Sequence, residues 1–357
     1  MSLSRPYTAL ARNFLVDVWS VRRGSRRFLP LMTNLYVTKR CNLRCRYCYP
    51  PGPEPELPVD ATVALLEKIR PRNPALNLTG GEPLLYRGIK DLIRRARELD
   101  FRPLLLSTNG LLIRRVIDEL HLLDHVVISL DSMQREVNET MTCVRGSTEK
   151  ILEAVHRCAE LSRSHGFALS LHAVIAPETI GGIEGILDLC EEIGATLIVS
   201  PEHGQFYPHE GLPGNAEYVG LIDRLIELKR RGKPLTCSAG YLRSIRDFTG
   251  HGCHPFVSPR VEPDGRVYLP CQRMPRRAVY LQDYPSLYEL MRQEGERISE
   301  PDCVRRCFLA CYVEVDAYLK NPFAAVEEMW MRRALLGKRS AAQRRKRQPK
   351  TSCGVVT

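Results

Sequence analysis

The chain has 357 residues, of which 44% are hydrophobic, 26% charged and 7% aromatic, a composition that excludes a disordered, collagen-like or integral membrane protein. Its formal charge of +11 sits at the ends: residues 1–40 are net +7, the stretch from Arg332 onward carries nine basic side chains and no acid, and the body between is net −5. An acidic body with basic appendages argues against a nucleic-acid-binding core and for ends that meet a phosphate-rich surface or plain solvent.

Thirteen cysteines are many for this length, and the number is odd. Arg5 and Arg12 precede a stretch that Asp17 interrupts, so the N-terminus does not read as a signal peptide. No run approaches the roughly 18 apolar residues of a membrane span. The expected location is therefore a reducing cytoplasm, where clustered cysteines bind metal or do chemistry.

In chain order, residues 7–21 place Tyr7, Leu10, Phe14, Leu15, Val18 and Trp19 near one side of a helix, with Arg22, Arg23, Arg26 and Arg27 following. Such a helix either caps the base of a domain or lies on anionic lipid at the cytoplasmic membrane face. Apolar, β-branched runs at 34–38, 76–79, 103–107, 125–130, 168–175 and 195–200 read as strands. Helical spacing fills 59–69, 89–99, 111–120, 147–164, 183–193 and 218–231. Six βα units imply parallel strands with right-handed crossovers, either a barrel or a doubly wound sheet, with chemistry at the carboxyl ends of the strands.

The alternation stops after Lys233. Runs at 257–261 and 267–269 flank Glu262-Pro263-Asp264-Gly265, which reads as a β-hairpin. A helix over 286–295 and a second cysteine group complete a small separate module. The tail beyond Leu336, rich in Lys, Arg, Gln and Ser, reads as disordered.

Directly after the first strand stands Cys41-Asn42-Leu43-Arg44-Cys45-Arg46-Tyr47-Cys48, a C-x3-C-x2-C loop. Three neighbouring thiolates suit three irons of a [4Fe–4S] cluster and leave the fourth iron open. A zinc site with its fourth ligand elsewhere is the alternative.

This loop, followed by Gly80-Gly81-Glu82-Pro83 after the second strand, resembles the radical S-adenosylmethionine (radical SAM) enzymes. Ser107-Thr108-Asn109-Gly110, Ile128-Ser129-Leu130-Asp131 and Arg145-Gly146 match further family positions, and the resemblance covers roughly 33–200. It implies a partial (β/α)6 TIM-like barrel within an α/β fold. It also implies that Cys41, Cys45 and Cys48 hold the cluster, with SAM on the open iron. Gly80, Gly81 and Glu82, with Pro83 completing the motif, would receive the SAM amino group. Ser129 and Arg145 would meet the methionine carboxylate, and Asn109 and Asp131 the ribose, while Tyr47 packs beside the adenine. Read as residues alone, Gly80-Gly81 is equally a turn and Asp131 a helix cap.

Cys253 and Cys271 flank the hairpin, and Cys303, Cys307 and Cys311 follow at helical spacing. The layout resembles the C-terminal auxiliary-cluster extension called SPASM or twitch. It has too few cysteines for the complete SPASM pattern, which points to one auxiliary [4Fe–4S] cluster; a structural zinc is the alternative. Cys158, Cys190, Cys237 and Cys353 read as packing or tail thiols. Cys143, in the loop after Asp131, reads as either packing or a thiol beside the substrate.

The expected organisation is an N-terminal helix and basic lead-in (1–32), a radical SAM barrel (33–235), a small cysteine-rich α+β domain (236–330) and a basic tail (331–357). The expected activity is reductive cleavage of SAM to a 5′-deoxyadenosyl radical, which abstracts hydrogen from a substrate. A low-potential donor such as a flavodoxin or ferredoxin would supply the electron. The basic, amphipathic ends favour a membrane-linked or lipid-type substrate over a peptide or cofactor precursor. A non-catalytic metal protein touching RNA through its tail is the reading of another class.

Overall fold

The structure, a computed structural model, describes residues 5–25, 28–48, 55–204, 207–273, 275–295 and 307–326. Arg26, Arg27, Cys303, Cys353 and the 331–357 tail lie outside the described residues.

Six parallel strands follow one another in space as in sequence: β1 (Met32–Tyr36), β2 (Ala75–Thr79), β3 (Leu104–Thr108), β4 (His125–Ser129), β5 (Ala168–Ile175) and β6 (Thr196–Pro201). Of the two architectures that the βα alternation leaves open, this is the partial barrel that the resemblance implies. The outer faces carry Leu35, Leu76, Leu78, Leu106, Ile128, Leu171 and Val199, all shut from solvent. Over them pack α2 (Val59–Ile69), α3 (Ile89–Glu98), α5 (Ser147–His165) and α6 (Ile183–Ile193) through residues such as Leu66, Ile93, Val155 and Leu187.

The inner faces are polar, which a parallel sheet covered on both sides does not ordinarily show. Asn77 Nδ2 donates to Asn34 Oδ1 at 3.0 Å, Asn34 Nδ2 to Ser258 Oγ at 3.0 Å, and Ser107 Oγ to Asn77 Oδ1 at 3.0 Å. His125, Ser170 and Thr196 form a second linked layer. His172 pairs with Ser200 at 2.9 Å. These bonds satisfy polar groups that burial would otherwise make costly, and they line a lumen suited to a polar ligand.

Four local expectations change. Residues 111–120 form 3₁₀ turns, Ile113–Val116 and Leu120–Leu122, rather than an α-helix, because Ile113, Val116 and Leu120 all bury and an Arg94–Glu119 ion pair holds the far end. A short helix, α4 (Arg135–Thr142), precedes α5, and α7 (Ala216–Arg230) is followed by α8 (Ala239–Asp247). The expected hairpin at 257–269 keeps its turn, Glu262 N donating to Arg266 O at 2.8 Å, but its strands take further partners. β7 (Arg260–Val261) pairs in parallel with β1, placing Arg260 opposite Asn34, while β8 (Arg266–Leu269) pairs with β9 (Arg277–Tyr280). β7 therefore extends the barrel sheet as its seventh strand, and one apolar core runs through both parts of the chain, from Leu35 to Val267, Leu281 and Leu290. Helices α9 (Leu287–Gly295) and α10 (Ala310–Lys320) complete the described residues of the C-terminal module apart from its loops.

The first helix, α1 (Arg5–Arg22), sits at the amino end of the barrel. Asn13 Nδ2 bonds the carbonyls of Pro30 and Arg72 just before β1 and β2, at 2.9 and 2.7 Å. Val18 packs in a small cluster with Val257 and Leu319. The opposite face of α1 exposes Leu15 (65%) and Trp19 (54%), flanked by exposed Arg12, Arg22 and Arg23. The base-capping expectation is met by one face, and the other face remains apolar and basic.

Candidate active site

The cysteine loop leaves the carboxyl end of β1 and is held from both flanks. On one flank Gly81 N donates to Thr38 O and Glu82 N to Arg40 O, each at 2.8 Å. A Cβ on Gly80 would lie 2.3 Å from Thr38 O, and one on Gly81 would lie 2.4 Å from Arg40 O and 2.5 Å from Lys39 O. Only glycine permits this backbone contact, so the pair clamps the residues that lead into Cys41. On the other flank Arg44 N and Arg46 N donate to Thr142 O and Met141 O, at 3.1 and 3.0 Å, using free carbonyls at the end of α4.

The loop's own side chains add further ties. Tyr47 donates its hydroxyl to Asp131 Oδ2 at 2.7 Å and packs on Met141, Val174 and Ala176. Arg46 binds Glu178 at 2.5 and 2.7 Å and Glu202 at 3.2 Å. Asn109 Nδ2 donates to Asn42 Oδ1 at 2.8 Å and lies 3.9 Å from Cys41 Sγ. Cys48 N closes a turn onto Cys45 O at 2.9 Å. The Cys41 and Cys48 thiols are exposed at the mouth, and Cys45 is half-buried. Burial, reinforced by the charges of Asp131 and Cys48, pushes the Cys45 thiol up to about 12. Such a thiol ionises readily only when a metal takes the place of its proton.

Glu82 is shut from solvent and satisfied by its own chain. Its carboxylate accepts from Leu84 N at 3.0 Å, Thr108 Oγ1 at 2.7 Å and Asn109 N at 2.8 Å, tying the end of β2 to the end of β3. Asp131 is likewise internal: besides Tyr47 it accepts from Val174 N at 2.9 Å, and burial pushes it up to about 6. It caps no helix, since α4 starts after Gln134. Ser129 ends β4 on the lumen face, half-buried. Arg145 is exposed in the turn before α5. Cys143 is exposed at a left-handed position (φ 54°) that terminates α4, its thiol 3.5 Å from Thr140 O.

The second cysteine set also gathers. Cys271, Cys307 and Tyr312 form one cluster with Cys253 packed against it. Cys311 is an exposed residue, yet enclosure of its thiol, then the neighbouring Cys307 and Cys271, push it up to about 12. In the described part of 303–311 the helical expectation is corrected: Leu309 is extended (φ −62°, ψ 128°) and α10 begins at Ala310, so Cys307 and Cys311 reach the cluster from a loop and a helix start. His203 Nε2 accepts from Phe308 N at 2.9 Å and braces that loop. Among the described residues, no three Cys, His, Asp or Glu side chains close around a single metal ion. Thiol donors in two separate groups are the chemistry of iron–sulfur ligation, in which each sulfur serves its own iron.

Between the two cysteine sets lies a cavity of about 320 Å³. Tyr36, Thr79, His172 and Ser200 line it from the barrel, and Arg260, Gln272, Cys311 and Tyr312 from the module. Arg260 stacks 3.5 Å from the Tyr36 ring centre and pairs with buried Glu262. Its charge favours the thiolates of Cys48 and Cys311 alike. Nothing in the sequence marks Arg260, because its placement depends on β7 joining a strand more than 200 residues away.

Residues 35–190 match the radical SAM superfamily. The stretch from β1 into α6 is thus similar to that superfamily. A pre-heme d1 synthase of Dinoroseobacter shibae is 35% identical over 44% of this chain and 40% of its own length. An Fe-coproporphyrin III synthase of Methanosarcina barkeri is 32% identical over the same shares. A probable GTP 3′,8-cyclase of Methanopyrus kandleri is 26% identical over 72% of this chain and 86% of its own. The matched segment thus spans well under half the length of the first two relatives. In fold, the chain is similar to Streptococcus suis SuiB bound to S-adenosylmethionine (TM-score 0.57, 18% identity, 80% of this chain and 69% of that one). It is also similar to anSMEcpe with bound AdoMet and a peptide (TM-score 0.56, 19% identity, 87% and 99%).

The clamp predicts a contrast between two glycines. Gly81→Ala should lower thermal stability by several degrees and impair cluster loading, because backbone oxygens offer no room. Gly185→Ala on α6, where an added Cβ meets nothing within 4 Å, should leave the melting temperature unchanged or raise it, as alanine does in a helix. Melting curves and iron content of the two variants check this.

Proposed function

We propose that the chain is a radical SAM enzyme acting on a small polar substrate held between its two cysteine sets. The observation that carries this reading is the 41–48 loop: its thiols stand at the carboxyl ends of the strands, and the backbone beneath them is clamped from two sides. Cys41, Cys45 and Cys48 would hold a [4Fe–4S] cluster with one iron left for SAM, and Cys253, Cys271, Cys307 and Cys311 would hold an auxiliary one. When bound, the first cluster and SAM supply a 5′-deoxyadenosyl radical for hydrogen abstraction, with a flavodoxin or ferredoxin as electron source.

The chain's own residues then position and exclude. Gly80 and Gly81 present backbone at the carboxyl end of β2, where a ligand's amino group can approach. Glu82, already bonded three times, acts chiefly by fixing that backbone and the Asn109 amide beside Cys41. Ser129 and Arg145 are the groups proposed for the methionine carboxylate. Asp131 holds Tyr47 at the adenine side rather than meeting the ribose directly. Cys143 lies outside the cavity lining, and its place here is to end α4.

A small-molecule substrate is supported by the cavity's size, by polar side chains such as Asn77, Thr79 and Gln272 in its lining, and by the relatives' names, two synthases and a GTP cyclase. A membrane-linked substrate has less support: the apolar, basic face of α1 lies at the amino end of the barrel, opposite the cysteine loop. That face supports peripheral contact with anionic lipid instead. No described helix is long and apolar enough to cross a membrane.

Two measurements test these readings. Anaerobically reconstituted protein should hold about eight irons and form 5′-deoxyadenosine from SAM and dithionite. The Cys41/Cys45/Cys48→Ala variant should keep about four and form none; zinc in place of iron would overturn the assignment. In co-sedimentation with phosphatidylglycerol vesicles, Leu15→Asp/Trp19→Asp should lose most of the wild-type binding, whereas equal binding by both proteins removes α1 as the contact.

A further inference from the structure

We infer that the cavity between the cysteine sets is an oxyanion site, and that the substrate presents a carboxylate or phosphate to Arg260. The inference rests on the radical SAM reading for the word substrate, but the anion site stands on its own geometry.

Among the described residues, Arg260 is the one charged side chain in the lining, and no carboxylate joins it there. The nearest acid, Glu262, is fully buried and already shared, with Lys39 Nζ at 2.9 Å and Arg260 Nε at 2.5 Å. Lys39 and Arg260 together carry one more charge than Glu262 cancels. Arg260 Nη2 also donates to Glu262 Oε2 at 3.1 Å, so the buried carboxylate fixes the guanidinium in place. Tyr36 stacks beneath its plane and holds the group flat. A planar guanidinium fixed in this way matches a planar carboxylate or a phosphate face.

A second feature points the same way independently. Helix α10 begins on the cavity wall, where Leu309, Ala310 and Cys311 line it, and it has no side-chain cap. The first N–H groups of a helix and its positive dipole end favour an anion. Opposite, His172 adds no competing charge, since burial pushes it down to about 4 and it bonds Ser200 as a neutral ring. Amides and hydroxyls of Asn77, Thr79 and Gln272 supply the remaining polar wall. At about 30 Å³ per water, the volume equals roughly ten waters, which suits a small molecule or a single side chain.

The experiment is calorimetric titration of anaerobically reconstituted protein with succinate and with inorganic phosphate at constant ionic strength. At least one should bind saturably at one site per chain: succinate alone marks a carboxylate substrate, phosphate alone a phosphorylated one. Arg260→Gln should weaken that binding about tenfold or more, Arg260→Lys should recover part of it, and Arg266→Gln, which removes a cation outside the cavity, should leave it unchanged. Iron content and melting temperature confirm that the variants fold. No saturable binding of either probe, or equal binding by a folded Arg260→Gln, overturns the inference. 5′-Deoxyadenosine formation in the absence of either probe separates the two readings. If it persists while both anions fail to bind, only the oxyanion site is lost; if anions bind but SAM is not cleaved, the site stands and the enzymatic reading falls.

Discussion

Everything at the mouth of this barrel depends on one close backbone contact, that of Gly80 and Gly81 against Thr38, Lys39 and Arg40. It fixes the departure of the cysteine loop from β1 with two short hydrogen bonds and no side chain in between. The carbonyls that end α4 hold the middle of the same loop, and Glu82 turns the far side of the glycines into a brace for Asn109. A loop with three reactive thiols would otherwise be free to collapse or to oxidise. Here its geometry is set before any metal arrives, which lowers the ordering cost of loading one.

The second constraint is the strand that returns from the C-terminal module. β7 extends the barrel beside β1, and that pairing carries Arg260 to a position between the two cysteine sets. The module is therefore built into the sheet rather than hung beside it. Barrel lumen, Arg260 and the start of α10 become walls of one cavity. Polar inner strand faces, satisfied in layers by Asn34, Asn77, Ser107 and His172, shape that cavity while the apolar outer faces hold the helices.

What could be read from the sequence follows from how local each signal is. The six strands were legible because β-branched runs alternate with helical spacing, and the Cys41 loop and Gly80-Gly81 motif because they are contiguous. The resemblance gives Gly80 and Gly81 to the SAM amino group, whereas the structure shows them first against the chain's own backbone. Helix α4, with its polar sequence and buried Asn138, lacked an apolar period to reveal it. The 3₁₀ turns at 113–122 are set by tertiary burial and ion pairing that override a helical pattern. Arg260 was invisible for the plainest reason: its site is made by two strands far apart in the chain.

The central claim is that the clamped loop presents a cluster with one iron open to SAM. Electron–nuclear double resonance on the reduced protein, with SAM carrying ¹⁵N at its amino group, tests it directly. The account predicts a resolved ¹⁵N coupling to the cluster that disappears in the Cys41/Cys45/Cys48→Ala variant while the auxiliary signal persists. A reduced cluster at this loop that shows no coupling to labelled SAM would contradict it.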